Sequence, residues 1–267
     1  MLFPYKRKGK MGLALSSGAA HGLAHIGVLK VMEKNGINFD YICGSSVGAI
    51  IGALWAEGYT SGEIYQIAKR MNWKKIVKIT IPKRGFFSIE GLEKIIKEYI
   101  PHNRFGGLKK KFGCVATSLK SEKPIYFTEG DLAKKIAASC AIPVIFKPIQ
   151  INGEYCIDGG FIENTPATLA RTLGADSVVG VRLNKHYQFT TKPDSIIKIL
   201  LQTIKIMSPS EKFSKYIDRG DVVINPKIRE IDYDGLDRID KLVELGKQAA
   251  QQKIKNINGK FLLKKDR

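Results

Sequence analysis

The sequence predicts an α/β protein with a mainly parallel central sheet. Short apolar runs typical of buried strands alternate with helical patterns, and residues 11–57 alone contain strand, turn, helix, strand, turn and helix. Strands that alternate with helices in this way form parallel sheets covered by helices. The length of 267 residues suits one such domain with a helical extension, and the chain carries no fixed-period repeat.

The first predicted elements are a strand at 11–15, a turn rich in glycine and alanine, and a helix from about His21 to Asn35. A second strand at 39–43 runs into Gly44, and the small residues after Ser46 predict a buried, closely packed helix. The same alternation continues along the chain. It predicts helices at 61–71, 88–99, 131–141, 165–173, 193–207 and 236–257, and strands at 112–117, 124–128, around 145–157, 178–183 and 221–224.

The helix at 165–173 is predicted from its first residues. Asn164 is a residue type that caps helices, and Pro166 suits the first helical turn.

The formal net charge of +19 favours an anionic partner. Residues 64–87 hold seven basic residues, no acidic one, and interleaved aromatic and aliphatic residues. This pattern is typical of a surface that meets anionic membrane, and it equally fits a solvated basic face over an ordinary core. Nucleic-acid binding is a further hypothesis that the charge allows, although no recognisable reading motif supports it. Both basic termini are expected to be solvated tails.

The first twenty residues have the charged-then-apolar order of a signal peptide, but the apolar part is short and continues into a helical pattern, which favours a first strand. No apolar run reaches the ~18 residues that span a bilayer, so membrane contact is expected to be peripheral. The four cysteines show no CxxC spacing and indicate buried, reduced thiols. We predict a cytoplasmic protein, peripheral on the membrane at most, without metal or organic cofactor.

Ser46 lies at the centre of a GxSxG pattern, G44-S45-S46-V47-G48, at the junction of a predicted strand and helix. Acyl transfer needs an exposed nucleophile, and a sharp strand-to-helix turn supplies one while aiming the helix N-terminus at the site. The pattern alone is weak, but its position predicts that Ser46 is a nucleophile. The alternative is a serine that only caps the helix.

The turn S16-S17-G18-A19-A20-H21-G22 also joins a strand to a helix. It lacks the glycine spacing of a dinucleotide-binding loop. The backbone N–H groups of Gly18 and Ala19 would suit an oxyanion hole, and a plain tight turn is the alternative.

The partner of Ser46 is harder to choose from the sequence. An α/β-hydrolase order can be written as Ser46, Asp158, His186, but that fold places several strands before the nucleophile and only two fit here. His21 and His25 are one helical turn apart and are expected to pack or cap. Asp158 follows a predicted strand and precedes two glycines, and an ordinary turn aspartate is its alternative.

Three ordered motifs resemble the patatin-like phospholipase family in its small, single-domain bacterial form. They are the segment from Gly12 to Leu29, the elbow around Ser46, and the D158-G159-G160 turn; A138-S139-C140-A141-I142-P143 is also similar to the family. The resemblance implies a three-layer α/β/α sandwich and hydrolysis of lipid acyl esters.

By that resemblance, Ser46 is the nucleophile, Asp158 is its only side-chain partner, and Gly18 and Ala19 form the oxyanion hole. The supporting glycines are Gly44, Gly48, Gly159 and Gly160. Two departures stand out: Ser17 and Ala19 replace glycines of the family loop, and His21 replaces an arginine. A mostly neutral imidazole would orient the loop less well than a guanidinium.

The resulting prediction is a serine acyl hydrolase, of phospholipase A, lysophospholipase or esterase type, acting on a phospholipid or other lipid ester. The alternative is a lipid- or protein-binding module with little turnover on the same fold. We expect a basic tail at 1–10, a catalytic α/β domain at 11–185, and a helical extension at 186–267 packed on that domain.

Overall fold

A mixed, mainly parallel sheet of eight strands forms the centre of the protein in the computed structural model. The structure describes residues 5–7, 9–71, 89–183, 221–229 and 235–264, and the single residues 199, 203 and 231. The strands of this sheet are β2 (Met11–Leu15), β3 (Tyr41–Ser45), β4 (Lys111–Ser118), β5 (Pro124–Phe127), β6 (Ile149–Ile151), β7 (Glu154–Asp158), β8 (Ser177–Val181) and β9 (Val222–Ile224). Hydrogen-bonded neighbours follow the order β6-β7-β4-β3-β2-β8-β9, and β5 pairs with β4.

The parallel strands are β2, β3, β4, β8 and β9, whereas β5 and β7 run antiparallel to β4 and β6 runs antiparallel to β7. The turn between β6 and β7 is Asn152-Gly153, and both residues have positive φ, at 50° and 82°. An Asn-Gly pair adopts this conformation at low cost, so it closes the hairpin tightly.

Helices cover the sheet on both faces. They are α1 (Ala24–Lys34), α2 (Val47–Glu57), α3 (Ser61–Arg70), α4 (Glu90–Tyr99), α5 (Leu132–Ser139), α6 (Ala167–Thr172) and α7 (Ile239–Phe261). Strand β2 shows both layers: Leu13 and Leu15 belong to the large core with α1 and α2, whereas Ala14 belongs to a smaller core with α6. This arrangement confirms the predicted three-layer α/β/α sandwich.

Helix α2 is buried from Val47 to Ala56. A helix that is apolar on every side belongs in the interior, and small residues let it approach the sheet. A Cβ added to Gly52 would already be 3.2 Å from Ile42 and Phe112. The prediction of a buried, closely packed helix after Ser46 is confirmed.

Three segments differ from the predictions. Helix α1 begins at Ala24 rather than His21, because Ala19–Leu23 form a tighter 3-10 turn. Residues 5–7, expected in a solvated tail, form strand β1 (Tyr5–Arg7), which pairs antiparallel with β10 (Leu262–Lys264). The helix expected at 165–173 is shorter, and Asn164 does not cap it. The basic aromatic pattern beyond residue 71 and the helix expected at 193–207 lie outside the described residues, apart from single positions.

The C-terminal helix α7 packs directly against α1. A Cβ built on Gly27 would lie 1.9 Å from the Val243 carbonyl oxygen, and one built on Gly246 would lie 1.9 Å from the Ala24 carbonyl oxygen. Real Cβ atoms do not approach other atoms so closely, so each glycine is needed for its helix to reach the other. None of the described helices is both long enough and apolar enough to cross a membrane.

Candidate active site

Strand β4 brings the ends of β3 and β7 together on one of its edges. Cys114 pairs with Gly44 on one side and Phe127 of β5 on the other, and Ala116 pairs with Asp158 on one side and Ile125 of β5 on the other. Because β5 occupies one edge of β4, β3 and β7 must share the opposite edge. The last residues of these two strands pair with consecutive residues of β4, so they meet end to end.

Ser46 follows β3 immediately, in a sharp turn with φ 52° and ψ −125°. A residue other than glycine rarely adopts a positive φ, and such strain is typical of a nucleophile turn between a strand and a helix. Glycines permit the turn: a Cβ on Gly44 would lie 2.3 Å from the Gly48 oxygen, and a Cβ on Gly48 would lie 2.3 Å from the Leu15 oxygen. The Ser46 side chain makes no capping hydrogen bond to α2, which argues against the alternative that Ser46 only caps this helix.

The Ser46 side chain lies instead beside Asp158, where it lowers the pKa of the carboxyl. Both residues are buried, with 6% and 5% of their surfaces exposed. Burial raises the pKa of Asp158 from 3.8 to about 6, and the adjacent Ser46 side chain and the hydrogen bond from the Gly160 N–H oppose that rise. A carboxylate with this pKa is ionised at pH 7 and is a better base than a solvated aspartate.

The turn after β7 holds the Asp158 carboxylate in place. The Gly160 N–H donates to Asp158 Oδ1 at 2.8 Å, and the Asp158 N–H donates to the Ala141 carbonyl at 3.0 Å. Neither Gly159 nor Gly160 has room for a side chain: added Cβ atoms would lie 2.2 Å from the Val115 oxygen and 2.3 Å from Ser17 Oγ. The two glycines therefore let the turn pass close to β4 and to the loop after β2.

The turn Ala19–Leu23, which follows Gly18, packs against the first turn of α2, where the Val47 side chain fills the space that a Cβ on Gly22 would need. Among the described residues, neither the Gly18 nor the Ala19 N–H has a hydrogen-bond partner. Ala19 has φ 46°, a conformation that glycine adopts more easily. The loop thus keeps two uncommitted N–H groups although alanine stands at a strained position.

Two hydrogen bonds fix the start of this loop. The Ser17 N–H donates to the Asn164 carbonyl at 3.0 Å, and the Asn164 side-chain amide donates to Ser17 Oγ. Asn164 therefore connects the loop to the segment after Asp158 instead of capping α6. The Glu163 carboxylate accepts a hydrogen bond from the Thr168 N–H at 2.9 Å, so Glu163 rather than Asn164 satisfies an N–H group in the first turn of α6.

The histidines have structural positions. His25 is fully buried, its Nε2–H donates to the Ser16 carbonyl at 2.8 Å, and burial lowers its pKa to about 4, so the ring is neutral at pH 7. His21 is buried too, and its Nε2–H donates to the Ile231 carbonyl at 2.5 Å. His102 contacts Glu57. His186, the third member of the alternative triad, lies outside the described residues.

Two residues at the site were not singled out from the sequence as candidates. Ser139 Oγ accepts a hydrogen bond from the Ser46 N–H at 2.9 Å. The Cys140 thiol lies near the Ser46 side chain, while burial and then the charge of Asp158 raise its pKa, which keeps it protonated. Both belong to the segment A138-S139-C140-A141-I142-P143, whose similarity to the family was the only sequence signal that pointed to them.

The described residues contain no group of three His, Cys, Asp or Glu side chains that could hold a metal ion. All four cysteines are free and buried. The side chains that meet at Ser46 are thus a carboxylate, a hydroxyl and a neutral thiol, which together suit proton transfer to and from a serine.

Comparison with solved structures finds the same fold. VipD from Legionella pneumophila superposes with a TM-score of 0.56 at 14% identity, covering 95% of this chain and 70% of VipD. The ExoU–SpcU complex from the type III secretion system of Pseudomonas aeruginosa gives a TM-score of 0.52 at 14% identity, covering 94% of this chain and 52% of the matched chain. At this identity the likeness concerns the fold alone.

Sequence comparison finds more similar relatives. An uncharacterized NTE family protein of Mycobacterium bovis, Mb1092c, is 32% identical over 178 residues, which cover 66% of this chain and 49% of the relative. The lysophospholipase nte1 of Aspergillus fumigatus is 29% identical over 177 residues, covering 64% of this chain and 12% of the relative. The chain thus spans about half of the mycobacterial relative and a much smaller part of the fungal one.

The family model of the patatin-like phospholipases matches residues 13–171. This segment is more than half of the chain, and it contains the Gly18 loop, the Ser46 elbow and the Asp158 turn in one continuous stretch. The resemblance inferred from the motifs is confirmed, and the chain belongs to the patatin-like phospholipase family.

Proposed function

We propose that the protein is a serine acyl hydrolase that cleaves lipid esters. The observation that carries the proposal is the end-to-end meeting of β3 and β7, which brings the Ser46 side chain beside the buried Asp158 carboxylate. Two further features support it: the strained turn that holds Ser46, and the N–H groups of Gly18 and Ala19, which have no hydrogen-bond partner within the described part of the chain. Together they provide a nucleophile, a base and oxyanion donors.

The reaction proceeds in two displacements at Ser46. Its Oγ forms a bond to the ester carbonyl carbon while Asp158 takes the hydroxyl proton, and Gly18 and Ala19 N–H groups stabilise the oxyanion. The bond to the alcohol breaks, and Asp158 returns the proton to the leaving oxygen. Water then attacks the acyl-serine with Asp158 again as base, which releases the fatty acid and restores Ser46.

The substrate class follows from the relatives. The family is that of patatin-like phospholipases, and several similar fungal proteins are named lysophospholipases. We assign this chain the same bond type, a carboxylic ester of a phospholipid or lysophospholipid. No organic cofactor or metal enters this scheme.

Labelling with a fluorophosphonate probe tests the nucleophile. The probe phosphonylates activated serines, so we expect a stoichiometric adduct that mass spectrometry locates on Ser46. Ser46→Ala should lose both the adduct and the hydrolysis of lysophosphatidylcholine. Ser45→Ala is a suitable control, since its hydroxyl is buried and makes no hydrogen bond to described residues. A folded wild type without adduct, but with tight binding of lipid, would favour the binding-module alternative.

The membrane partner is also a proposal. The part of the basic aromatic stretch beyond residue 71 lies outside the described residues, but the segments next to β4 and β7 carry a second candidate surface. The large apolar side chains that the described residues expose include Leu119 after β4, Val144 between α5 and β6, and Tyr155 on β7, each about half exposed. Lys120, Lys123 and Lys147 are exposed on the same segments. Rings and aliphatic groups beside lysines suit the headgroup region of an anionic membrane.

Vesicle binding tests this surface. Each lysine near an anionic surface contributes about 1 kcal/mol, so Lys120→Glu with Lys123→Glu should weaken binding to phosphatidylglycerol vesicles by at least about 10-fold. The measurement uses the Ser46→Ala background to prevent turnover. Lys241→Glu with Lys255→Glu on the exposed side of α7 changes the net charge equally. Equal losses of vesicle binding for the two pairs of variants would show that binding follows net charge, which would contradict a binding surface on these segments.

A further inference from the structure

The hydroxyl of Ser139 links the nucleophile turn to the central sheet. Ser139 is the last residue of α5, is fully buried, and is 93 residues from Ser46 along the chain. Its Oγ accepts a hydrogen bond from the Ser46 N–H at 2.9 Å and donates one to the Val115 carbonyl at 2.6 Å. Both bonds are buried and of normal to short length, so the hydroxyl is fixed in direction as well as in place.

This bridge lies where β3 leaves the sheet. Ser45 is the last residue of β3 and is in register with Val115 of β4. If β3 continued, the Ser46 N–H and the Val115 carbonyl would approach each other in the parallel ladder. The Ser139 hydroxyl lies between these two groups and satisfies both. It therefore replaces one ladder bond and lets the chain turn away from β4 without leaving a buried donor and a buried acceptor unpaired.

The turn needs such support because Ser46 is strained. A residue other than glycine in a rarely populated conformation costs of the order of 1–3 kcal/mol, and it persists only where its surroundings fix it. The amide of Ser46 is held by Ser139, and the neighbouring Gly159 turn packs on the same Val115 carbonyl, at 2.2 Å from the position of an added Cβ. One carbonyl of β4 is thus the common support of the Ser46 turn and of the Asp158 turn.

We infer that Ser139 is a positioning residue for Ser46: its hydroxyl, inserted between the end of β3 and β4, fixes the Ser46 backbone so that the side chain points to Asp158. Ser139 does not touch the reacting atoms in this scheme and transfers no proton. The inference rests on the proposed function, because it concerns the nucleophile of that reaction. It predicts an effect on the rate of attack by Ser46 and little effect on the binding of substrate.

Two pairs of variants test this role. Ser139→Ala removes both hydrogen bonds. Ser139→Thr and Ser139→Val add the same methyl group and differ only in the hydroxyl, so their comparison isolates the hydrogen bonds from the packing. The readouts are the rate of Ser46 labelling by a fluorophosphonate and kcat and KM on p-nitrophenyl butyrate, a soluble ester that needs no membrane contact.

A displacement of the nucleophile by about 1 Å can cost about 100-fold in rate, so we expect Ser139→Ala to lower kcat by about 10–100-fold with KM changed less than about twofold. Ser139→Thr should react at least about tenfold faster than Ser139→Val. Ser61→Ala is the matched control, because the Ser61 hydroxyl is also buried and bonded, to Glu33, but lies outside the site. It should lower the melting temperature without changing kcat.

Each outcome decides something. Equal kcat for the Thr and Val variants, or unchanged labelling in a folded Ser139→Ala, would overturn the positioning role and leave the proposed function intact. Loss of kcat in parallel with melting temperature, matched by Ser61→Ala, would show a purely structural serine. Absence of labelling in the wild type would overturn the proposed function and this inference with it. If Ser139→Ala fails to fold, the Thr and Val pair still decides the question.

Discussion

Replacing Asp158 by asparagine is expected to abolish most of the activity and to stabilise the protein. Asparagine cannot accept the Ser46 proton, and loss of a general base costs about 10²–10⁴-fold in rate. The amide oxygen of the new side chain would still accept from the Gly160 N–H, which now donates to Asp158 Oδ1 at 2.8 Å, so the turn should survive. Labelling of Ser46 should slow to the same extent as hydrolysis.

The gain in stability follows from the pKa of Asp158. Burial raises it from 3.8 in the unfolded chain to about 6 in the folded protein, so the folded state binds more protons between these pH values. At about 1.4 kcal/mol per pKa unit, burying the ionised carboxylate lowers the free energy of unfolding by about 3 kcal/mol at pH above about 6. This loss disappears as the pH falls towards 3.8 and the carboxylate of the folded protein becomes protonated. Burying the asparagine amide has a cost of its own, which offsets part of this effect. We therefore expect the free energy of unfolding of Asp158→Asn to exceed that of the wild type by about 1–3 kcal/mol at pH 8 and to equal it near pH 4.

Chemical unfolding at pH 8 and pH 4 measures this difference. The same pKa predicts that kcat/KM of the wild type rises with pH through about 6 and then levels off. Glu163→Gln is the matched control: Glu163 is another buried carboxylate whose pKa is raised by burial, and it serves α6 rather than Ser46. It should retain activity. A destabilised Asp158→Asn at pH 8 would contradict the account of Asp158 given above.

Two identical substitutions on α7 are expected to have opposite effects. In Gly246→Ala the new Cβ would lie 1.9 Å from the Ala24 carbonyl oxygen, a backbone atom that cannot move alone. The helices would have to separate, and overpacking of this kind costs about 1–3 kcal/mol or more. At Gly259, an added Cβ meets nothing within 4 Å, so Gly259→Ala should stabilise the helix by about 0.5–1 kcal/mol.

The difference between the two variants, measured by urea unfolding, reports how firmly α7 is joined to α1. We propose that residues 186–267 form an extension of the α/β domain at 11–185, to whose sheet they add β9, and a large loss in Gly246→Ala would support the packing of this extension on the domain. Since Ala24 directly follows the turn Ala19–Leu23, separation of the helices should also lower activity. Equal effects of the two substitutions would show that α7 contributes little to the stability of the domain.

The alternation of strands and helices could be predicted from the sequence because it depends on local patterns. The stretch from β2 to α2 was correct in type and order, but β3 lies two residues later than the strand predicted at 39–43. The start of α1 is shifted to Ala24 by a 3-10 turn that has no separate sequence signature. The cap assigned to Asn164 was wrong for a different reason. The side chain has a partner in Ser17, far away in the chain, and that contact prevails over its local preference for a cap.

The site itself depends on contacts that no local pattern encodes. Ser46 could be singled out from its motif, and Asp158 from its position between a predicted strand and two glycines. Their proximity could not be predicted, since only the pairing of β3 and β7 with the same strand brings the two residues together. Ser139 could not be recognised as a neighbour of Ser46 because its hydrogen bond joins residues 93 positions apart. That these residues catalyse the reaction stays a prediction.

The end-to-end meeting of β3 and β7 on β4 also bears on how such proteins can diverge. The separation of Ser46 and Asp158 is set by two adjacent residues of one strand, Val115 and Ala116, and does not depend on the length of the connections between the two motifs. Segments can therefore lengthen, shrink or be replaced at the surface turns around residues 119–123 and 152–153 while the spacing of nucleophile and carboxylate is preserved. Evolution can thus alter the parts that meet the substrate independently of the part that holds the acid and the serine.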